Sequence, residues 1–161
     1  MKAKLNKIAI ALGGNIGDSV SIFCSALNKL SENGVANMKL STLLRSEPEN
    51  CPPNSPDFTN AVLIGEWTES PEELLELCQE IEISMGRPET HEFNAPRTLD
   101  LDIILFGEEI INTDKLQIPH PRAASRLFVL TPLADLAPDW IFPNNGKSVK
   151  QILKSHKLSI Q

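Results

Sequence analysis

The sequence is poor in features that mark several classes of protein. It has no tyrosine, aromatic residues make up 5% of its 161 positions, and its three cysteines form no C-x-x-C pair. An odd number of cysteines without that spacing disfavours a disulfide framework or a zinc centre, so Cys24, Cys51 and Cys78 are predicted to be reduced thiols. No segment approaches the ~20 apolar residues of a membrane span, and the apolar stretch at 8–12 is too short for a signal peptide. We expect a cytoplasmic protein.

Positive charge is also scarce. The formal net charge is −6, whereas binding to nucleic acid or to anionic lipid requires an excess of lysine and arginine. We therefore expect no nucleic-acid partner and no membrane partner, and a small ligand instead. Four of the five arginines lie in one central window: Arg87, Arg97, Arg122 and Arg126. Arginine grips phosphate oxygens in pairs, so this window can form an anion site, although pairing with surface glutamates explains it as well.

The first half of the chain alternates strand and helix patterns. Residues 7–12 indicate a buried strand, and a glycine-rich turn then leads to a helix capped near Asp18 or Ser19. Two further strands are predicted at 38–45 and 58–67, and the prolines between them exclude a strand there. A second helix begins at Ser70, where Ser-Pro-Glu-Glu forms a capping box with proline at the first helical position.

The remaining elements complete a fold prediction. Residues 99–106 alternate apolar and acidic side chains, which is typical of a strand. The order strand, helix, strand, strand, helix, strand predicts an α+β, ferredoxin-like βαββαβ fold. In that fold an antiparallel sheet carries two helices on one face, and an irregular C-terminal extension would follow from Pro119. A single domain is expected over 1–161.

The strand at 99–106 carries the strongest chemical feature. Residues two apart share one face of a strand, so Asp100 and Asp102 point to the same space. Hard carboxylate oxygens that leave room for water and phosphate suit Mg²⁺, and such a pair can converge on two ions. Considered alone, a solvated strand face explains the pattern equally well. Several cations surround the pair in sequence and favour phosphoryl transfer: Arg87, Arg97, His120, Arg122 and Arg126.

Other candidate residues favour structural roles when each is considered alone. The turn at 13–17 matches neither G-x-G-x-x-G nor a P-loop, so it indicates only a tight turn. His120 lies between two prolines and is typical of a structural loop residue. Phe58 and Phe128 would ordinarily belong to the core.

Six segments together resemble the 6-hydroxymethyl-7,8-dihydropterin pyrophosphokinase family, in order over nearly the whole chain. They are ALGGNIGD (11–18), RSEP (45–48), PDFTN (56–60), GR (86–87), PRTLDLD (96–102) and PHPR (119–122). The PRTLDLD segment is highly specific to that family. The resemblance implies a folate-pathway enzyme that transfers the diphosphate of ATP to the hydroxymethyl oxygen of the pterin and releases AMP. It also implies the ferredoxin-like fold.

The resemblance assigns roles to the residues at matching positions. It implies that Asp100 and Asp102 bind two Mg²⁺ ions, with Arg87 and Arg97 as further catalytic residues. The implied pterin site is formed by Ser46, Pro48, Phe58, Asn60 and Phe128. The implied ATP site is formed by Gln79, Glu82, Arg87, Arg97, Ile103, Lys115, His120 and Arg126. The expected partners are ATP and the pterin, and the chain is expected to act as a monomer, associated or fused with a neighbouring folate-pathway enzyme in some contexts.

Some positions depart from the family pattern. Glu89 stands where many members carry a second arginine, and Asn94 stands where tryptophan is common, so closure of the loop from Arg87 to Arg97 is expected to differ. Phe58 replaces a frequent tyrosine but keeps a stacking face.

Two alternative functions remain open. One is a two-metal nucleotide cyclase or polymerase-palm-like domain on the same fold, and the other is a non-catalytic ligand-binding regulatory domain. Release of AMP that depends on the pterin distinguishes the pyrophosphokinase from both.

Overall fold

A computed structural model describes residues 4–47, 54–86 and 98–159. The main strands are β1 (Asn6–Gly14), β2 (Ala36–Leu40), β3 (Leu44–Ser46), β4 (Phe58–Trp67) and β5 (Asp100–Phe106). The helices are α1 (Ser19–Glu32), α2 (Pro71–Ser84), α3 (Leu127–Leu136) and α4 (Val149–Ser159), with a short 3₁₀ helix, η1 (Ala123–Ser125), before α3. Two small hairpins complete the described elements: β6 (Ile111–Asn112) with β7 (Gln117–Ile118), and β8 (Ile141–Phe142) with β9 (Lys147–Ser148).

The sheet confirms the predicted fold. Its strands run in the order β2-β4-β1-β5, all neighbours are antiparallel, and β3 also pairs with β4. The chain therefore skips over β4 through α1 and over β1 through α2. This double crossover is the ferredoxin-like arrangement that the element order predicts.

Local signals in the sequence fix where the first two helices begin. The side chain of Asp18 accepts a hydrogen bond from Ser21 N at the start of α1, and Ser70 does the same for Glu73 N at the start of α2. Each bond satisfies an amide that has no partner within its helix. The predicted caps are thereby confirmed, and the second falls beside proline at the first helical position.

The continuous strand predicted at 38–45 is wrong, because the structure divides it into β2 and β3. Ser41 lies at the break. Its backbone N donates to the carbonyl of Val62 on β4, and its Oγ accepts from the backbone N of Val62, both at 2.9 Å. A side-chain oxygen thus takes the place of a backbone acceptor in the ladder, which lets the chain leave β2 without an unsatisfied amide on β4.

Both faces of the sheet are buried. On one face, Ile8, Ile10 and Leu12 of β1 pack with buried residues of α1 and α2. On the other, Ala9 of β1 and Ile104 of β5 pack with α3 and α4. The C-terminal extension therefore supplies a second helical layer. Within the described residues, none of the helices has the length and apolar character needed to cross a membrane.

A bulge in β5 explains a run of buried apolar residues. Ile10 pairs with Ile103 and Ala9 pairs with Leu105, so Ile104 is an extra residue between two register positions. The alternation predicted from the sequence holds before the bulge and changes phase after it. Asp100 and Asp102 therefore share a face with Ile104, which packs towards α3.

Candidate active site

An open cavity, with about 820 Å³ of empty space that includes solvent at its mouth, lies between the end of the sheet and the segment that leads into α3. Its wall combines β1, β3, β4, β5 and α3 with His120 and Arg126, which lie on either side of η1 in the sequence. It brings together eight of the residues assigned to the site by resemblance: Ser46, Phe58, Asn60, Asp100, Asp102, His120, Arg126 and Phe128.

The two aspartates form one side of this cavity. Asp100 pairs with Gly13 of β1 and Asp102 pairs with Ala11, and all four residues line the cavity. Asp100 is half-buried and Asp102 is exposed. Because the residues opposite them are small, the space between the carboxylates and β1 stays open to a ligand. Sequence reasoning overlooked this role of Ala11 and Gly13, although the ALGGNIGD segment contained the signal.

Gly13 also separates the aspartates from the other polar side of the site. It pairs with Asn60 of β4 on its opposite edge, and a Cβ at this position would lie 3.5 Å from Asn60 Oδ1. The absence of a side chain thus leaves a continuous floor between Asp100 and Asn60.

Asn60 is held in one orientation. It is 6% exposed, and its Nδ2 donates to Leu44 O at 3.1 Å and to Ser46 Oγ at 2.7 Å. These two bonds engage both amide hydrogens and direct Oδ1 towards Gly13. The buried amide therefore presents an acceptor to the floor of the cavity.

Two phenylalanines line the apolar part. Phe58 begins β4 and Phe128 lies in the first turn of α3, and both are half-buried. Asn15 Nδ2 donates to the carbonyl oxygen of Pro56 at 3.2 Å, which ties the glycine-rich turn to the loop before Phe58. The guanidinium of Arg126 lies 5.4 Å from the centre of the Phe128 ring, a cation–π distance. A flat ligand has aromatic surface and a cation within reach.

His120 is fixed beside β5 and keeps one nitrogen as a donor. Its backbone N donates to Ile104 O at 3.0 Å, and its Nδ1 accepts from Arg122 N at 3.2 Å. Burial lowers the pKa of His120, the Asp102 carboxylate opposes that shift, and Arg126 and Arg122 add to it. The ring is therefore neutral at pH 7, with its proton on Nε2, where it can donate to an anion.

Four predicted ATP-site residues do not line the cavity. Gln79 and Lys115 are exposed to solvent. Ile103 is buried on the opposite face of the sheet, in the core with α1 and α2. Glu82 is also buried, and its carboxylate accepts a hydrogen bond from the backbone N of Leu101. Their contacts with a nucleotide stay predictions. Pro48, Arg87 and Arg97 lie outside the described residues, as do Glu89 and Asn94.

Comparison with known proteins agrees with the fold and identifies a family. The sequence model of a family described as 7,8-dihydro-6-hydroxymethylpterin-pyrophosphokinase (HPPK) matches residues 9–138. The chain is 36% identical over 152 residues to the 2-amino-4-hydroxy-6-hydroxymethyldihydropteridine pyrophosphokinase of Pseudomonas aeruginosa, covering 92% of this chain and 91% of that protein. The protein of the same name from Synechocystis is 37% identical over 146 residues, covering 90% and 73%.

Other relatives are much longer than this chain. The folic acid synthesis protein fol1 of Pneumocystis carinii is 39% identical over 142 residues, which cover 88% of this chain but 19% of that protein. The wild-type HPPK-DHPS of Plasmodium falciparum crystallised with pteroate superposes with a TM-score of 0.74 at 14% identity, covering 97% of this chain and 43% of that one. At this identity the likeness concerns the fold alone.

Proposed function

Because the chain belongs to the 7,8-dihydro-6-hydroxymethylpterin-pyrophosphokinase family, we propose that it transfers the diphosphate of ATP to the hydroxymethyl oxygen of 6-hydroxymethyl-7,8-dihydropterin, releasing AMP, in folate biosynthesis. One observation carries the proposal: a single cavity joins a carboxylate pair, Asp100 and Asp102, to two phenylalanines. The side of the cavity with the carboxylates suits a metal-bound polyphosphate, and the side with the phenylalanines suits a flat heterocycle.

The pterin occupies the part of the cavity lined by Phe58, Phe128 and Asn60. Stacking on the two rings removes the flat faces of the ligand from water. The fixed Oδ1 of Asn60 accepts a hydrogen bond from an N–H on the pterin edge, which supports selection of a pterin over other flat molecules. Ser46 contributes to pterin selection indirectly, because its hydroxyl accepts a hydrogen bond from Asn60 Nδ2 and so orients the Asn60 amide.

The carboxylate oxygens of Asp100 and Asp102 are suitable ligands for Mg²⁺. Among residues 4–47, 54–86 and 98–159, no group of three or more His, Cys, Asp or Glu side chains could hold a metal alone. Asp100 and Asp102 therefore leave most coordination positions to phosphate oxygens and water, and this is how Mg²⁺ binds at nucleotide sites. When bound there, Mg²⁺ would neutralise charge on the phosphates. The expected stoichiometry is two ions per site.

The side chains of the protein then orient the reactants. The Nε2–H of His120 donates to a phosphate oxygen, and Arg126 adds a positive charge between the phosphates and the pterin stack. The Phe58 and Phe128 rings hold the hydroxymethyl oxygen towards the β-phosphorus. Catalysis is then mainly positioning and charge neutralisation, without a covalent enzyme intermediate. Arg87 and Arg97 are expected to grip the phosphates as well.

The assembly state belongs to the same proposal. A monomer stays the expected active unit. One relative is named a folate synthesis bifunctional protein, and the match covers 81% of this chain but 27% of that protein. Fusion of such a domain to a neighbouring enzyme is therefore part of the expectation. We keep a single domain over 1–161 and a cytoplasmic location as expectations.

The decisive experiment separates the possible products of ATP. The purified protein is incubated with Mg²⁺, ATP and the hydroxymethyl dihydropterin, and nucleotides and pterins are resolved by chromatography and mass spectrometry. Equal amounts of AMP and pterin diphosphate, formed only when both substrates are present, are expected. ADP would indicate simple phosphoryl transfer, and cyclic AMP with free diphosphate would indicate a cyclase. Either result would overturn the proposal, and the Asp100→Asn/Asp102→Asn double variant serves as the control for contaminating enzymes.

A further inference from the structure

The last helix lies beyond the part of the chain that the family model matches, yet it packs against the segment that carries site residues. The match ends at residue 138, and α4 begins at Val149. Val149 and Ile152 are buried in one cluster with Ala123 of η1 and Leu130 of α3. The position of η1 relative to the sheet therefore depends on a helix outside the matched region.

A polar contact joins α4 to the turn between η1 and α3. His156 Nε2 lies 3.0 Å from the backbone carbonyl oxygen of Ser125. A carbonyl oxygen can only accept, so the imidazole Nε2–H is the donor. Either the neutral ring with its proton on Nε2 or the protonated ring can make this bond.

The carbonyl of Ser125 belongs to the same planar peptide unit as the backbone N of Arg126. That N donates to Ala123 O at 3.2 Å, so the peptide unit is held at its oxygen by His156 and at its nitrogen by η1. The carbonyl of Arg126 in turn accepts from Leu130 N at 2.9 Å. Fixing the peptide planes on both sides of a residue fixes the direction of its Cα–Cβ bond, and so the point from which its side chain extends.

The direction in which the Arg126 side chain extends matters because that side chain contributes to the cavity. Its side chain lines the site and its guanidinium lies over the ring of Phe128. A rotation of the 125–126 peptide would carry the guanidinium off the ring and change the wall that both substrates meet.

We propose that His156 is a positioning residue for Arg126, and through Arg126 for substrate binding. The inference rests on the proposed function for the identity of the substrates. It assigns to α4 a role in the site, although no side chain of α4 lines the cavity within the described residues.

Three variants of His156 test the role of its donor. His156→Ala and His156→Leu remove the donor, and the leucine keeps bulk at the position, so two donor-free variants are available if one folds poorly. His156→Gln keeps an N–H donor. The matched control is Lys150→Ala on the same helix, since Lys150 Nζ pairs with Asp139 at 2.9 Å and both side chains are largely exposed.

The measurements are dissociation constants for the pterin and for a non-hydrolysable ATP analogue with Mg²⁺, by calorimetry, together with KM, kcat and melting temperature. We expect the donor-free variants to raise the pterin dissociation constant and the KM for ATP by about 3- to 10-fold, the loss of one hydrogen bond. The glutamine variant should recover most of this loss, and Lys150→Ala should match the wild type. Unchanged affinities in a folded donor-free variant, or no recovery by glutamine, would overturn the proposal.

A double-mutant cycle with Arg126→Ala tests whether the effect passes through the arginine. If it does, His156→Leu should have little further effect on substrate affinity in the Arg126→Ala background. Additive effects would mean that His156 acts only by supporting the fold, and the proposal would fail. A wild-type protein that binds both ligands but forms no AMP would contradict the proposed function instead, while the cycle in ligand affinity would still report on His156.

Discussion

Glu82 of α2 accepts a hydrogen bond from the backbone N of Leu101, with Oε2 at 2.7 Å from the nitrogen. Leu101 lies between Asp100 and Asp102 on β5, which is an edge strand of the main sheet. An edge strand presents unpaired amides, and a buried carboxylate forms a strong, charge-assisted bond with one of them. Glu82, at 8% exposure, thus holds the strand that presents the carboxylate pair.

Replacing Glu82 tests how much this bond contributes. In Glu82→Leu the amide of Leu101 loses its acceptor in a buried place, so the free energy of unfolding should fall by about 1–3 kcal/mol. Glu82→Gln retains an acceptor oxygen and should lose less. Chemical denaturation of the two variants measures both values, with Glu80→Gln on the exposed side of the same helix as the control. A leucine variant as stable as the wild type would show that the bond is unimportant.

Replacing the aspartates tests the proposed metal site. Asp100→Asn or Asp102→Asn should lower kcat by at least about 10²–10³-fold, because the site loses charge that is needed only with metal and phosphate bound. Neither side chain packs in the core, so circular dichroism should show an intact fold. Calorimetric titration with Mg²⁺ and an ATP analogue should show weaker metal binding. Near-normal turnover of a folded double variant would refute the assignment.

Phe128→Ala separates the two substrates. Loss of a stacking ring should weaken pterin binding by about 1–3 kcal/mol, the range measured for bases stacked on aromatic side chains. ATP binding should weaken less, through the lost support of Arg126 by the ring. Direct titration with each ligand gives both numbers, and Phe128→Tyr, which keeps the stacking face, is the control. Equal losses for the two ligands would contradict the predicted division of the cavity.

Short-range patterns account for most of what the sequence predicts. The caps at Asp18 and Ser70 act within three residues, and the alternation that puts Asp100 and Asp102 on one face is a property of two-residue spacing. The element order then restricts the topology to the ferredoxin-like arrangement. The assignment of Phe58, Phe128 and Asn60 to one site came from the family resemblance, since each residue alone favours a core or structural role.

Long-range contacts account for what the sequence could not predict. The break at Ser41 depends on the amide of Val62, and the contact of His156 with Ser125 spans 31 residues. Because of the bulge at Ile104, four consecutive apolar residues are shared between the two cores: residues 103 and 106 pack on one face of the sheet, and residues 104 and 105 pack on the other. An uninterrupted apolar run of this length does not show from its periodicity which face each residue occupies. Each of these features depends on a partner that becomes adjacent only after the sheet forms.

The thiol of Cys78 should make stability depend on pH in the alkaline range. Burial raises the pKa of Cys78 far above its usual value, and the carboxylates of Glu82 and Asp102 raise it further. Above about pH 8.5 the unfolded chain releases this proton while the folded chain keeps it, so the free energy of unfolding falls as pH rises, by about 2 kcal/mol between pH 8 and 10.

The Cys78→Ala variant isolates that contribution, because it removes the titrating group while Cys24 remains exposed in the folded protein. The chain has no tyrosine, so phenol ionisation does not overlap with the thiol. Denaturation at pH 8, 9 and 10 should show the wild type losing stability more steeply than the variant, even though the smaller side chain lowers stability at every pH. Parallel pH profiles for the two proteins would mean that the Cys78 thiol ionises as readily in the folded chain as in the unfolded one.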